Sequence, residues 1–173
     1  MQPNPECQKL VAEVGAEATE SLFDAYGVQV VRRKERAIPD DAVLMCGVIG
    51  FTGPTLRGTL ILAANDLPLE ASNPVPGSPL RDWISELTNQ LVGRVKNRLR
   101  AYGVEIYITT PVVLRGVLLA PVPRSELRPM CFTAPNGGVL WVWTEVETPE
   151  GFLLGEIRDD DARDVTEGHA LMF

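Results

Sequence analysis

The sequence predicts an α+β fold: a two-layer sandwich with two long helices on one face of an antiparallel sheet of about six strands. Three observations lead there. Residues 5–26 and 80–102 repeat apolar side chains at spacings of three and four, the period of a helix that buries one stripe. Between and after them run short segments rich in Val, Ile, Thr and aromatics, punctuated by Gly, Pro, Asn and Asp. The order of helix, strands, helix, strands, with short connections, sets helices beside an antiparallel sheet rather than into crossovers of a parallel one.

In ECQKLVAEVGAEATESLFDAYGV, Leu10, Val11, Val14, Ala18, Leu22 and Phe23 form the first stripe and Gly27 ends it, so a helix is expected from about Pro5 to Tyr26. Three strand-like runs follow, VQVVRRKERAI, AVLMCGVIGFTG and RGTLILAA, joined by PDD and GPTLRG; turns this short predict a meander. The basic cluster Arg32, Arg33, Lys34 and Arg36 alternates with Val30, Val31 and Ile38, which reads as the solvated side of an edge strand. Residues 65–79 hold four prolines and no sustained period, and read as a surface connection. The second helix, LRDWISELTNQLVGRVKNRLRAYGV, stops at Gly103. VEIYITTPVVLRG and CFTAPNGGVLWVWTEVE are expected strands, the latter around a Pro-Asn-Gly-Gly turn suited to positive φ, and GFLLGEIR one more. Trp141 and Trp143 share one face of their strand, as core or dimer-interface packing does.

A chain of 173 residues has the usual length of one domain, and is expected to form a single domain over 1–173 with its core at about 5–158 and an acidic tail at 159–173. The net charge of −7 argues against a broad attraction to nucleic acid or to an anionic bilayer. Cys7, Cys46 and Cys131 are odd in number and lack CxxC spacing, which fits a reducing compartment and small apolar roles rather than structural zinc. With no basic, then apolar leader and no window near the roughly 20 apolar residues of a membrane-spanning helix, a cytoplasmic location is expected.

The only histidine, His169, lies near the end of the chain, which leaves Ser-His-Asp and Cys-His nucleophiles without a positioned imidazole and argues against most His-based metal sites. GPTLRGT has the glycine spacing of a phosphate loop but neither its lysine nor a following helix, and reads as a hairpin turn. Asp159, Asp160 and Asp161 lack the alternation of a calcium loop. The second helix is more informative. Rotation of about 100° per residue puts Ile84, Leu87, Thr88, Leu91, Val95 and Leu99 on its core side. Glu86, Asn89 and Gly93 fall in a narrow sector nearly opposite, with Lys96 and Arg100 at its margin. Asparagine is a weak helix former, and a mid-helix glycine costs about 1 kcal/mol relative to alanine. A face kept only for stability would choose neither, so the trio reads as a low-relief polar patch that another protein's backbone can approach.

ELTNQLVGRVKNRL followed by YITTPVVLRG resembles the CheX family of chemotaxis phosphatases, relatives of CheC and FliY. Glu86, Asn89, Gly93, Lys96, Thr110, Pro111 and Gly116 stand at the positions of the family pattern, and GVIGFTGPTLRGTLILAA is similar to its strand, turn and strand segment; the likeness covers about residues 43–145. The resemblance implies two long helices on an antiparallel sheet, a homodimer joined at sheet edges, and hydrolysis of the aspartyl phosphate of a CheY-like response-regulator receiver domain in chemotaxis or other two-component signalling. It implies that Glu86 and Asn89 are the catalytic pair, the amide orienting the attacking water and the carboxylate pairing with the receiver's active-site lysine. Gly93 and Lys96 are the implied partner-binding positions. Mg2+ is expected in the receiver, and no cofactor or metal on this chain. The chain departs from the family in its short proline-rich connection before the second helix, in Arg94, in Gln90 at a usually apolar position, and in an extension beyond about residue 150. The alternative is a CheX-like module that binds a receiver or dimerises as an adaptor without hydrolysis; a third reading is an adaptor assembling through the tryptophan strand or the acidic tail.

Overall fold

Asn4 and Pro5 start the first long helix of the computed structural model, which describes residues 1–34, 38–39, 41–117, 119, 128–135 and 137–155. In chain order the elements are β1 (Gln2–Pro3), α1 (Pro5–Asp24), β2 (Val31–Arg33), β3 (Leu44–Thr52), β4 (Arg57–Ala64), α2 (Asp66–Ser72), α3 (Leu80–Arg100), β5 (Tyr107–Ile108), β6 (Val112–Gly116), β7 (Met130–Thr133) and β8 (Val139–Thr148). The Asn4 side chain accepts the Cys7 N–H at 3.1 Å, and Pro5 follows where its missing N–H is harmless. Both long helices close with the same tetrapeptide, Ala-Tyr-Gly-Val. Gly27 and Gly103 take positive φ, 73° and 71°, and the N–H groups of Val28 and Val104 return to the carbonyls of Phe23 and Leu99.

The strands form one antiparallel sheet in the order β2-β7-β8-β4-β3-β5, with β1 also on β8 and β6 also on β3. Its layers are those predicted, but there are eight strands among the described residues rather than about six, and three helices rather than two. The run VEIYITTPVVLRG divides because Thr109 Oγ1 accepts the Gly50 N–H at 3.1 Å and donates to the Gly50 carbonyl at 3.0 Å, while Pro111 has no N–H to give. The expected meander holds for the β3–β4 hairpin only. β2 pairs with β7 at the far edge, held there by Arg32 on Glu13 of α1 at 2.7 Å and by Arg33 on Thr133 at 3.0 Å; Arg36 lies outside the described residues.

Residues 65–79 are a loop only in part. Asp66–Ser72 is helical because Pro68 sits in the first turn, Leu69 and Ser72 are buried, and Ser72 Oγ donates to the Pro68 carbonyl at 2.7 Å. Phe152–Gly155 is not a strand: Asn4 Nδ2 donates to the Phe152 carbonyl, and β1 and β4 already flank the end of β8. Residues 156–173, with the acidic run, His169 and Leu171–Phe173, lie outside the described residues.

One face of the sheet, with Met45, Ile49, Leu60, Leu62, Phe132 and Val142, forms the main core with the helices. The opposite face buries Leu44, Cys46, Ala63, Cys131, Val139, Trp141 and Trp143, with Ile38, Ala42 and Leu119 packed on it. Trp141 and Trp143 are only 2% and 7% exposed and pack into this second core. Burial pushes the Cys46 thiol up to about 11 and raises that of Cys7. Unfolding lets the Cys46 thiol ionise at its ordinary value, so its contribution to stability is complete below about pH 9 and is lost as pH rises through about 11. Chemical denaturation followed from pH 8 to 11 should show this loss, and Cys46→Ala should flatten it; an unchanged slope would contradict the assignment. No helix among the described residues is long and apolar enough to cross a membrane.

Candidate functional site

α3 carries the candidate residues, and its placement follows from its inner face. Ile84, Leu87, Thr88, Leu91, Val95 and Leu99 are all buried, joined by Trp83 and Val92. Thr88 Oγ1 donates to the Ile84 carbonyl at 2.7 Å and lies directly over Gly47 of β3, where an added Cβ would overlap it. Glycine at 47 thus lets α3 lie close on the sheet. With the inner face fixed, the outer face is fixed too: Glu86 and Asn89 are exposed, and Gly93 and Lys96 are half-buried beside them.

Four features define this face. Among the described residues the Asn89 side chain has no hydrogen-bond partner, so its amide can both donate and accept outward. Glu86 Oε1 accepts from Gln90 Nε2 at 2.7 Å, leaving Oε2 without a hydrogen bond among the described residues. Among the described residues nothing lies within 4 Å of a Cβ built on Gly93, so their packing does not require glycine there. Lys96 borders a shallow depression with Arg100, Glu105, Ile106 and Tyr107.

The flanks are equally specific. The Arg94 and Arg98 guanidiniums reach Ser21 Oγ of α1 at 3.4 and 3.2 Å, so Arg94 turns away from Glu86, as its helical angle requires. Gln90 Oε1 accepts from the Tyr26 hydroxyl at 2.9 Å. Tyr26 meets Trp83 edge to face, ring centroids 4.9 Å apart, and the Trp83 indole N–H donates to Ser72 Oγ at 3.0 Å. Tyr26 and Gln90 were not candidates from sequence. A glutamine four residues after Glu86 was a signal for contact on one helix face, but the tyrosine is too distant in sequence to show itself. Thr110, Pro111 and Gly116 lie along the β5–β6 edge, and no hydrogen bond among the described residues joins them to Glu86 or Asn89.

Such a face supplies an acceptor-only carboxylate, a two-way amide and room for an approaching backbone. Among the described residues no group of three His, Cys, Asp or Glu is placed to hold a metal ion. No family model and no curated protein matches the sequence. Solved structures do. CheX from Vibrio vulnificus superposes with a TM-score of 0.67 at 18% identity, over 79% of this chain and 96% of that one. The chain has the CheX/CheC fold. A putative chemotaxis protein from Desulfovibrio vulgaris Hildenborough has the same fold at TM-score 0.64 and 21% identity, over 79% of this chain and 96% of that one. So has CheX of a CheX-CheY-BeF3-Mg2+ complex from Borrelia burgdorferi, at TM-score 0.61 and 16% identity over 78% and 96%. The CheX/CheC architecture therefore stands on structure.

Proposed function

We propose that this chain is a CheX-like phosphatase that hydrolyses the aspartyl phosphate of a CheY-like receiver domain. One observation carries the reading: on a CheX/CheC fold, α3 exposes a Glu86–Asn89 pair whose amide has no partner among the described residues, beside a glycine with open space before it. The structure from Borrelia burgdorferi, in which a CheX is complexed with CheY, supports a receiver as the partner. Asn89 holds a water in line with the phosphorus, using both functions of its amide. Glu86 grips the receiver's active-site lysine through Oε2. The receiver supplies Mg2+, and the water is the nucleophile, so this chain contributes placement and charge rather than a covalent step, which is what phosphoryl transfer chiefly needs.

The test follows loss of phosphate from the host's phosphorylated receivers with and without this protein, and with Asn89 and Glu86 replaced singly. Faster loss that depends on both residues is expected. A receiver bound without acceleration would favour the non-catalytic module, and no effect on any receiver would remove the proposal.

Gly93 adds a prediction of opposite signs. Since a methyl group there meets nothing within 4 Å, Gly93→Ala should stabilise the helix by about 0.5–1 kcal/mol. The same methyl stands where the receiver's backbone would approach, so KM for the phosphorylated receiver should rise. Melting curves and steady-state kinetics read the two effects; a stabilised variant with unchanged KM would take Gly93 out of the interface.

A further inference from the structure

We infer that Gln90, held by Tyr26, is a positioning residue that fixes the Glu86 carboxylate for the cation it grips; this rests on the receiver-phosphatase reading of the site. A Gln–Glu contact four residues apart is weak on an open helix surface. This one differs because the amide is itself held. Glu86 can only accept, so Gln90 must turn its NH2 toward it and its Oε1 toward Tyr26, which fixes the Tyr26 hydroxyl as the donor of the 2.9 Å bond. Tyr26 in turn is fixed by its place between the end of α1 and Gly27, and by the edge-to-face contact with Trp83, whose N–H is held by Ser72 of α2. The links thus run from buried Ser72 of α2 to Trp83 of α3, through Tyr26 in the turn that follows α1, and back to the outer face of α3.

The chemical effect is on docking. A free glutamate loses rotamer freedom when it grips a cation, and one already held loses less. Gln90 occupies Oε1 and leaves Oε2 to the partner. An apolar residue at 90 could pack beside Tyr26 but could not orient the carboxylate, and a glutamate there would repel it.

Tyr26→Phe removes the hydroxyl and keeps the ring on Trp83; Gln90→Leu keeps the bulk and removes the amide. NMR couplings across the Glu86 side chain in the free protein should report one dominant rotamer in the wild type and averaging in both variants. With a receiver substrate, KM should rise about three- to ten-fold with kcat nearly unchanged, the signature of lost binding rather than lost chemistry. A merely structural role would instead lower the melting temperature and leave the couplings alone. An unchanged Glu86 rotamer distribution in both variants, or a wild type already averaged, would overturn the positioning role; unchanged KM would overturn its part in docking. A wild type inactive on every receiver would remove the functional reading, and the couplings would still decide the positioning.

Discussion

Replacing Asn89 by alanine should slow receiver dephosphorylation at least about ten-fold, equivalent to about 1.4 kcal/mol of transition-state stabilisation. The loss should fall on kcat, because an amide that aligns water matters when the water attacks and little when the receiver docks. Stability should move the other way. Asn89 is exposed and its side chain has no hydrogen-bond partner among the described residues, so alanine, the better helix former, should raise stability by about 0.5 kcal/mol. A variant that melts higher, binds the receiver as before and no longer accelerates phosphate loss excludes damage to the fold as the explanation. Single-turnover decay of a phosphorylated receiver, its titration by anisotropy and a melting curve suffice to measure all three. Unchanged kcat in the variant would mean that some other group orders the water.

The contrast between sequence and structure is instructive at α3. Its inner stripe was legible because six residues repeat at helical spacing and all six are buried. Its outer trio was legible for the opposite reason: asparagine and glycine are poor choices for helix stability, and neither makes up for that by packing inside the chain. The roles given to Glu86 and Asn89 came from resemblance, and neither helical angle nor burial distinguishes a catalytic amide from an idle one.

What stayed hidden depends on pairings far apart in sequence. β2 alternates like an edge strand and is one, yet its partner is β7 rather than β3, a choice made by contacts with Glu13 and Thr133 that no local pattern encodes. α2 escaped notice because prolines mask its single buried turn, whose main tie, the Trp83 indole on Ser72, comes from the next helix. Tyr26 reads locally as a helix-ending aromatic before glycine, and only the packing of α1 on α3 brings its hydroxyl to Gln90. Short-range periodicity therefore recovered the layers and the face of α3, and long-range hydrogen bonding supplied the topology and the support of the site.

The same close packing makes Gly47→Ala the substitution expected to disturb both fold and site. A Cβ at 47 would overlap Thr88 Oγ1, and would stand 2.9 Å from Thr88 Cβ and 3.2 Å from Cγ2. Thr88 cannot readily turn away, since it is fully buried and its hydroxyl is committed to the Ile84 carbonyl. Either that bond breaks or α3 lifts from β3. Overpacking of this kind typically costs about 1–3 kcal/mol, and for a chain of this size the melting temperature should fall by about 2–12 °C. Because Asn89 follows Thr88 in the chain, lifting α3 should also lower dephosphorylation by more than the unfolded fraction explains. Thr88→Ala removes Oγ1 and Cγ2 but not Cβ, so the double variant Gly47→Ala/Thr88→Ala should recover part of the loss, with a coupling energy favourable relative to the sum of the single changes. Independent, additive losses would show that the two residues do not meet as the structure has them, and that α3 is held at its distance from the sheet by something other than this glycine.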